Sequence, residues 1–374
     1  MKKCVIVPDS FKGTMSSVEV CDVISEKVRN LFPHCQICGI PIADGGEGTV
    51  DCFVRAIGGE KRNVRVQGPF GEEIESFYGV VKGDTAVVEM AAAAGLPLAC
   101  GKRDPGKAST YGVGQLIAHA VRSGCRGVIL GLGGSCTNDG GAGMAAALGT
   151  RFFRKDGSCF VPSGDSLEDV VSIDNSGAEK MLSGVEIQGM CDIENPMFGE
   201  KGAAYIFGPQ KGADTEEIQV LDRNLRAFSE VIKRELGMDV SRIPGSGAAG
   251  AMGAGVCAFL GGSLVSGIEL LLEVVNFDQM LQGCDLVITG EGKLDRQSFD
   301  GKVIAGVVRH ARKFHVPVVA VAGYVEPDVR RALDSFGVSG ALSVYDKRMN
   351  LEQILSTCKT DLGRRVEELA CLQV

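Results

Sequence analysis

Short apolar runs alternate along the chain with stretches whose apolar positions recur every three to four residues, as in strands and amphipathic helices laid end to end. Cys4-Val-Ile-Val7 reads as a short buried strand stopped by Pro8 and Asp9. Ser16-Ser-Val-Glu19 is a capping box, after which Val20, Val23, Ile24, Val28 and Leu31 line one helical face. A second strand is expected at about 37–42, then a helix through Val50, Phe53, Val54 and Ile57. Residues 63–67 and 77–90 read as hairpin strands about the turn Gly68-Pro-Phe-Gly71. Helices are predicted over 109–123, 215–236 and 248–260, with a strand at 128–132. The last part alternates strands at 285–289, 316–322 and 339–344 with helices at 299–314 and 327–336, a βαβαβ run.

This alternation predicts an α/β fold. Both ends of the chain read as parallel-sheet material and the middle does not. The economical architecture is a Rossmann-like or flavodoxin-like parallel-sheet domain built from residues 1–66 and 283–374. A second α/β domain would be inserted at 67–282, with the active site in the cleft between the two.

Composition narrows the function classes. Lys and Arg number 39 against 47 Asp and Glu, a net charge of −8, which lacks the basic footprint that nucleic acid requires. The run from Ala86 to Cys100 is broken by Glu89, Gly95 and Pro97, so no membrane span is expected. Met1-Lys2-Lys3 leads into too short an apolar run for a signal peptide. With no such signal, the 14 cysteines are expected to be reduced thiols of a cytoplasmic protein. Cys35-x-x-Cys38 leads into a strand rather than a helix, the wrong context for a redox pair. Glycine stands out at 52 of 374 residues, about twice the usual ~7%.

Much of that glycine sits beside acids and amides, in five loops that follow predicted strands. They are Asp9-Ser-Phe-Lys-Gly13, Asp44-Gly-Gly-Glu-Gly48, Gly133-Gly-Ser-Cys-Thr-Asn-Asp-Gly-Gly141, Cys191-Asp-Ile-Glu-Asn-Pro196 and Gly290-Glu-Gly-Lys-Leu-Asp295. Ligands of open α/β sheets bind at the carboxyl ends of strands, where glycine lets backbone N–H groups approach phosphate oxygens and carboxylates hold Mg²⁺ or take a proton. Together these suit phosphoryl transfer, which depends on positioning and charge neutralisation. Lys12, Lys211, Lys293 and Lys302 lie beside glycine loops, where an ammonium can neutralise anionic oxygens, although any one such lysine is more often a solvated surface group. None of His34, His119, His310 and His315 lies in these loops, so base and metal duties fall to carboxylates. No P-loop pattern occurs. Gly245-Ser-Gly-Ala-Ala-Gly250 matches a dinucleotide fingerprint without a preceding strand and reads better as a close-packed helix start.

Taken in order, the loops resemble the glycerate kinase family, the bacterial type that phosphorylates D-glycerate with ATP. The likeness also covers Ser109-Thr-Tyr-Gly112, Phe207-Gly-Pro-Gln-Lys-Gly-Ala213 and Pro244-Gly-Ser-Gly-Ala-Ala-Gly250, so it runs nearly end to end. Cys136 and Ile304 depart from the family's usual alanine and proline without removing a charged group. The resemblance implies a Rossmann-like domain with an inserted α/β domain, ATP and Mg²⁺ as cofactors, glycerate as substrate and 2-phosphoglycerate as product.

On that basis Asp192 first, and Asp44 second, are expected to orient or deprotonate the substrate hydroxyl, with Lys12 on anionic oxygens. Asp9, Ser10, Gly45, Gly46, Glu47, Asn195 and Lys302 would contact substrate. Gly131, Gly133, Gly134, Ser135, Asn138, Gly140, Gly141 and Gly290 would set donors around the nucleotide phosphates. Glu291, Asp295 and Asp139 would hold the metal. Two other readings stay open: a non-catalytic sugar-acid-binding module, and an NAD-linked 2-hydroxy-acid dehydrogenase resting on Gly245–Gly250, with Glu269 at the spacing of a ribose-binding acid.

Overall fold

The computed structural model describes residues 1–43, 45–99, 101–299, 303–345 and 349–371. Asp44 and Lys302, both expected at the site, lie outside these residues. The chain divides into two compact units, one of Met1–Ala43, Arg55–Ile57 and Ile268–Val374, the other of Asp44–Val54 and Gly58–Gly267.

In the first unit five strands form an all-parallel sheet in the spatial order Gly340–Ser343, Val318–Val325, Leu286–Leu294, Lys3–Pro8, Gln36–Gly39. Numbered along the chain this is 2-1-3-4-5, the flavodoxin-like order, whose switch point falls between Lys3–Pro8 and Leu286–Leu294. The helix Ser17–Leu31 begins at the expected capping box: Ser16 Oγ accepts from Glu19 N–H while the Glu19 carboxylate accepts from Ser16 N–H. Val20, Ile24 and Val28 are buried in a core with Ile6, Ile288, Val319 and Leu362. Hydrogen bonds from Ile40 and Ile42 N–H to Ile6 and Pro8 carbonyls carry the edge pairing on to residue 42.

The third strand differs from expectation by running on through Leu294. Pairing with Val318–Val325 continues to Leu294↔Val325, so Gly290 and Glu291 are strand residues rather than loop residues. The predicted helix at 327–336 is two short ones, Pro327–Arg330 and Leu333–Phe336.

The second unit is built on a six-stranded sheet in the order Ser263–Val265, Glu186–Met190, Gly127–Gly131, Thr85–Glu89, Glu73–Val81, Gly59–Gln67. The first four strands are mutually parallel and the last two antiparallel, so the middle of the chain holds parallel sheet as well, contrary to the sequence reading. The single strand expected at 77–90 is two, because Lys82 and Gly83 take positive φ of 51° and 86° and turn the chain back. Gly59–Gln67 pairs along its whole length with Glu73–Val81, which puts residues 59–66 in this unit. The helix Thr215–Leu236 has its predicted bounds, with Asp214 accepting from Glu216 and Glu217 N–H at its start. Its buried face (Leu225, Phe228, Ile232) packs with Phe152, Phe259 and Leu148 in one apolar core.

Candidate functional site

Each unit gathers its predicted loops at the carboxyl ends of its parallel strands. In the first unit Asp9 follows strand Lys3–Pro8, and its N–H donates to Gly290 O at 2.8 Å. The Asp9 carboxylate accepts from Ser10 N–H at 2.6 Å. Gly292 passes so close to Lys12 that a Cβ there would lie 3.3 Å from Lys12 N. The first and fifth predicted loops are therefore neighbours at the switch point of the sheet, where open α/β folds bind ligands. Glu291 is buried on its strand, while Lys12 is exposed. Asp295 is half-buried, with Lys293 Nζ 3.5 Å away and that lysine shared with Glu326 at 3.1 Å. Gly290 is explained by sheet geometry: a Cβ there would sit 2.1 Å from Val321 O. That contact supplies a reason for glycine other than the phosphate cradle expected of it.

In the second unit the second, third and fourth predicted loops interlock. A Cβ on Gly131 would lie 2.4 Å from Gly45 O, and one on Gly133 would lie 2.6 Å from Gly46 Cα. Gly45 in turn lies against Met190 O and Leu132 N, and Leu132 N–H donates to Met190 O at 3.2 Å. Gly131 and Gly133 thus let two backbones touch, leaving the exposed Gly134 and Glu47 at the rim. Asp192 is exposed just beyond strand Glu186–Met190, where its Oδ1 accepts from Ser266 Oγ at 2.9 Å and Gly267 N–H at 2.8 Å. Asn195 ties its own loop, donating from Nδ2 to Lys201 O at 2.8 Å.

Asp139 is fully buried, and both of its oxygens are engaged. Oδ2 accepts from Thr110 N–H and Oγ1, each at 2.8 Å, and from Gly143 N–H at 3.3 Å, while Oδ1 accepts from Gly141 N–H at 3.2 Å. Burial pushes its carboxyl pKa up against these hydrogen bonds. The geometry is that of a carboxylate organising the turn into helix Ala142–Leu148, not of one turned toward a metal. Among the described residues, no three His, Cys, Asp or Glu side chains group as a metal-binding set. Gly140 and Gly141 belong to the same turn, with positive φ and Gly140 packed on Phe228.

Two further buried charges stand among the loops of this unit. Glu89 is buried at the end of strand Thr85–Glu89 and accepts from Val50 N–H; its only signal was a charge interrupting an apolar run. Lys211, noted as commonly a surface type, is 2% exposed and donates to Ser135 Oγ at 2.8 Å and Thr137 O at 2.6 Å. Gly245–Gly250 follows a turn rather than a strand, and a Cβ on Gly250 would lie 2.0 Å from Thr137 O. Glu269 is occupied with Arg309 and His310. The dinucleotide reading therefore lacks both its strand and its acid.

The model of the glycerate kinase family matches residues 4–373. A glycerate kinase of Bacillus cereus is 44% identical, the match covering 99% of this chain and 97% of the relative. Glycerate 2-kinase of Escherichia coli K12 is 43% identical over 98% of this chain and 97% of its own length. A crystal structure from Salmonella typhimurium LT2, described as a glycerate kinase 2, superposes with a TM-score of 0.88 at 40% identity, covering 99% of this chain and 97% of that one. Motif order, sheet topology and whole-length similarity lead to one assignment: the chain is a kinase and belongs to the glycerate kinase family.

Proposed function

We propose that the enzyme transfers the γ-phosphoryl group of ATP to the 2-hydroxyl of D-glycerate, giving 2-phosphoglycerate and ADP. The observation that carries this reading is the interlocking of Gly45–Gly46 with Gly131–Gly133 in front of the parallel strands, which presents Glu47, Gly134 and Asp192 on adjoining loops. In the proposed step the hydroxyl oxygen attacks the γ-phosphorus, the bond to the β,γ-bridging oxygen breaks, and the hydroxyl proton passes to a carboxylate. Asp192 is our first choice for that base and Asp44 our second. The two donors on Asp192 Oδ1 fix its orientation.

Lys12 and Lys302 would hold anionic oxygens. Asp9, Ser10 and Glu47 would contact glycerate, and Gly134, Ser135 and Asn138 would face the nucleotide. Mg²⁺ commonly takes one or two protein carboxylates together with substrate phosphates, and Glu291 and Asp295 are our choice for those carboxylates. It would supply charge neutralisation to the phosphates. Asp139, with both oxygens committed, is withdrawn from the metal set. We also place the enzyme in the cytoplasm: the described cysteines are free thiols, as a reducing compartment keeps them, and no described helix is long and apolar enough to cross a membrane.

The test is an ADP-release assay over glycerate, tartronate and other small hydroxy acids with NAD reduction followed in parallel, and ³¹P NMR of the product. ATP-dependent formation of 2-phosphoglycerate is expected. Binding without ADP release, or hydride transfer, would overturn the reading.

A further inference from the structure

The ammonium of Lys211 lies under the segment Ser135–Asn138 and is bound to it by two hydrogen bonds, yet no carboxylate among the described residues pairs with it. An isolated ammonium in the interior is costly, and a neutral donor could make the same two bonds. The neighbouring polar groups are equally short of partners. Asn138 is wholly buried, and among the described residues neither its Oδ1 nor its Nδ2 has a hydrogen-bond partner. Thr137 Oγ1 is in the same condition. Buried native polar groups are overwhelmingly satisfied, so a cluster of orphans around one fixed charge calls for an explanation.

Backbone strain collects at the same place. Ala249, Gly250 and Ala251 take φ of 55°, 71° and 65°, three successive left-handed residues of which two carry a Cβ. Gly250 O accepts from Gly140 N–H at 3.0 Å, which pins this strained turn against the Thr137–Gly140 backbone. Such conformations are costly and cluster at ligand sites. The one carboxylate of the loop, Asp139, turns its oxygens onto its own four donors and makes no ion pair with Lys211, on which its charge acts only at a distance.

We propose that Lys211, with Asn138 and Thr137, forms an anion subsite of this unit that takes the oxygens of a nucleotide phosphate chain or of a hydroxy-acid carboxylate. The proposal rests on the kinase reading for the identity of its ligand, though not for its existence. Burial lowers the Lys211 pKa to about 8, which gives the subsite a built-in titration. The groups acting on Lys211 are Cys136 and Asp139 from the loop above it. The helices Thr215–Leu236 and Ala248–Leu260, which pack on its own helix Ala203–Lys211, contribute none that act on it. The Cys136 thiol, pushed up to about 11, stays protonated through the same range.

The experiment measures, by calorimetry, binding of ATP, D-glycerate and inorganic pyrophosphate to wild type, Lys211→Met and Lys211→Arg, together with kcat and both KM values. Lys211→Met is expected to weaken one of these anions about ten- to a hundredfold, the scale of a lost charge-assisted contact, with Lys211→Arg retaining part of the affinity. The anion that weakens identifies the occupant. In wild type the same affinity should fall as pH rises from about 7 to 9.5 through the lysine's pKa. A strut that only holds the loop predicts no such fall, because the neutral amine still donates two hydrogen bonds.

A folded Lys211→Met protein with unchanged affinities overturns the subsite. If that variant does not fold, a flat pH profile of the wild type overturns it instead. Anion binding that depends on Lys211 without turnover would sustain the subsite and defeat the kinase reading. Turnover that is indifferent to Lys211 would do the reverse.

Discussion

The N–H of Val50 donates to Glu89 Oε1 at 2.7 Å, joining residues 39 apart in the chain. Helix Thr49–Ile57 starts at Gly48 with no side-chain cap of its own, so this buried glutamate supplies the acceptor that the first turn lacks. Because Glu89 ends a strand beside Gly131, the same bond fixes the start of the helix that the Gly45–Gly48 loop enters.

Glu89→Ala should cost about 1–3 kcal/mol by stranding a buried N–H. It should also lower kcat/KM about ten- to a hundredfold by loosening that loop. Glu89→Gln keeps an acceptor and should retain most activity. Burial raises the Glu89 pKa above its ordinary 4.5. Its contribution to stability is therefore full below pH 4.5 and is lost as pH rises through the raised value. Glu89→Gln should flatten that part of the stability curve, measured by Tm against pH; an unchanged curve would refute the assignment.

Asp139 is expected to behave as a structural node. Asp139→Ala leaves four donors without their acceptor and should unfold the second unit or lower its stability by several kcal/mol, at ~1–3 kcal/mol for each buried group. Asp139→Asn should lower Tm while the Mg²⁺ concentration giving half-maximal activity stays within about twofold. A large shift in Mg²⁺ requirement with an unchanged Tm would restore Asp139 to the metal set.

Gly133→Ala tests the interlocked loops. Its Cβ would fall 2.6 Å from Gly46 Cα and 2.7 Å from Gly46 N, and backbone cannot swing aside as a side chain can. A displacement of about 1 Å at a reacting centre can cost ~10² in rate, so kcat/KM should drop by that order. Ala at Gly184, which meets nothing within 4 Å but has a positive φ of 73°, should cost stability without that loss of activity. Steady-state kinetics of the pair separate the two effects.

Asp192→Asn preserves an oxygen that can accept from Ser266 and Gly267 and removes the proton acceptor. A fall in kcat of about 10²–10⁴ with little change in Tm is expected. Near-normal turnover would move the base to Asp44.

Local pattern was enough to place most elements. The capping box at Ser16, the boundaries of Thr215–Leu236 and the strand Gly127–Gly131 follow from periodicity and neighbouring residues alone. Strand Leu286–Leu294 was underestimated because glycine and glutamate look like loop residues, and only its partner Val318–Val325 draws them into the sheet.

The acid and glycine motifs, and through them the family, are written in the order of residues. What those residues do depends on contacts across the chain, which sequence order does not encode. Gly131 and Gly133 make room for a backbone more than 80 positions earlier, Asp139 turns inward onto Thr110, and Lys211 lies buried beneath Ser135 and Thr137. A side chain's type sets the chemistry open to it, but burial and the nearest donors decide which part of that chemistry is used. Those two are properties of the packed molecule.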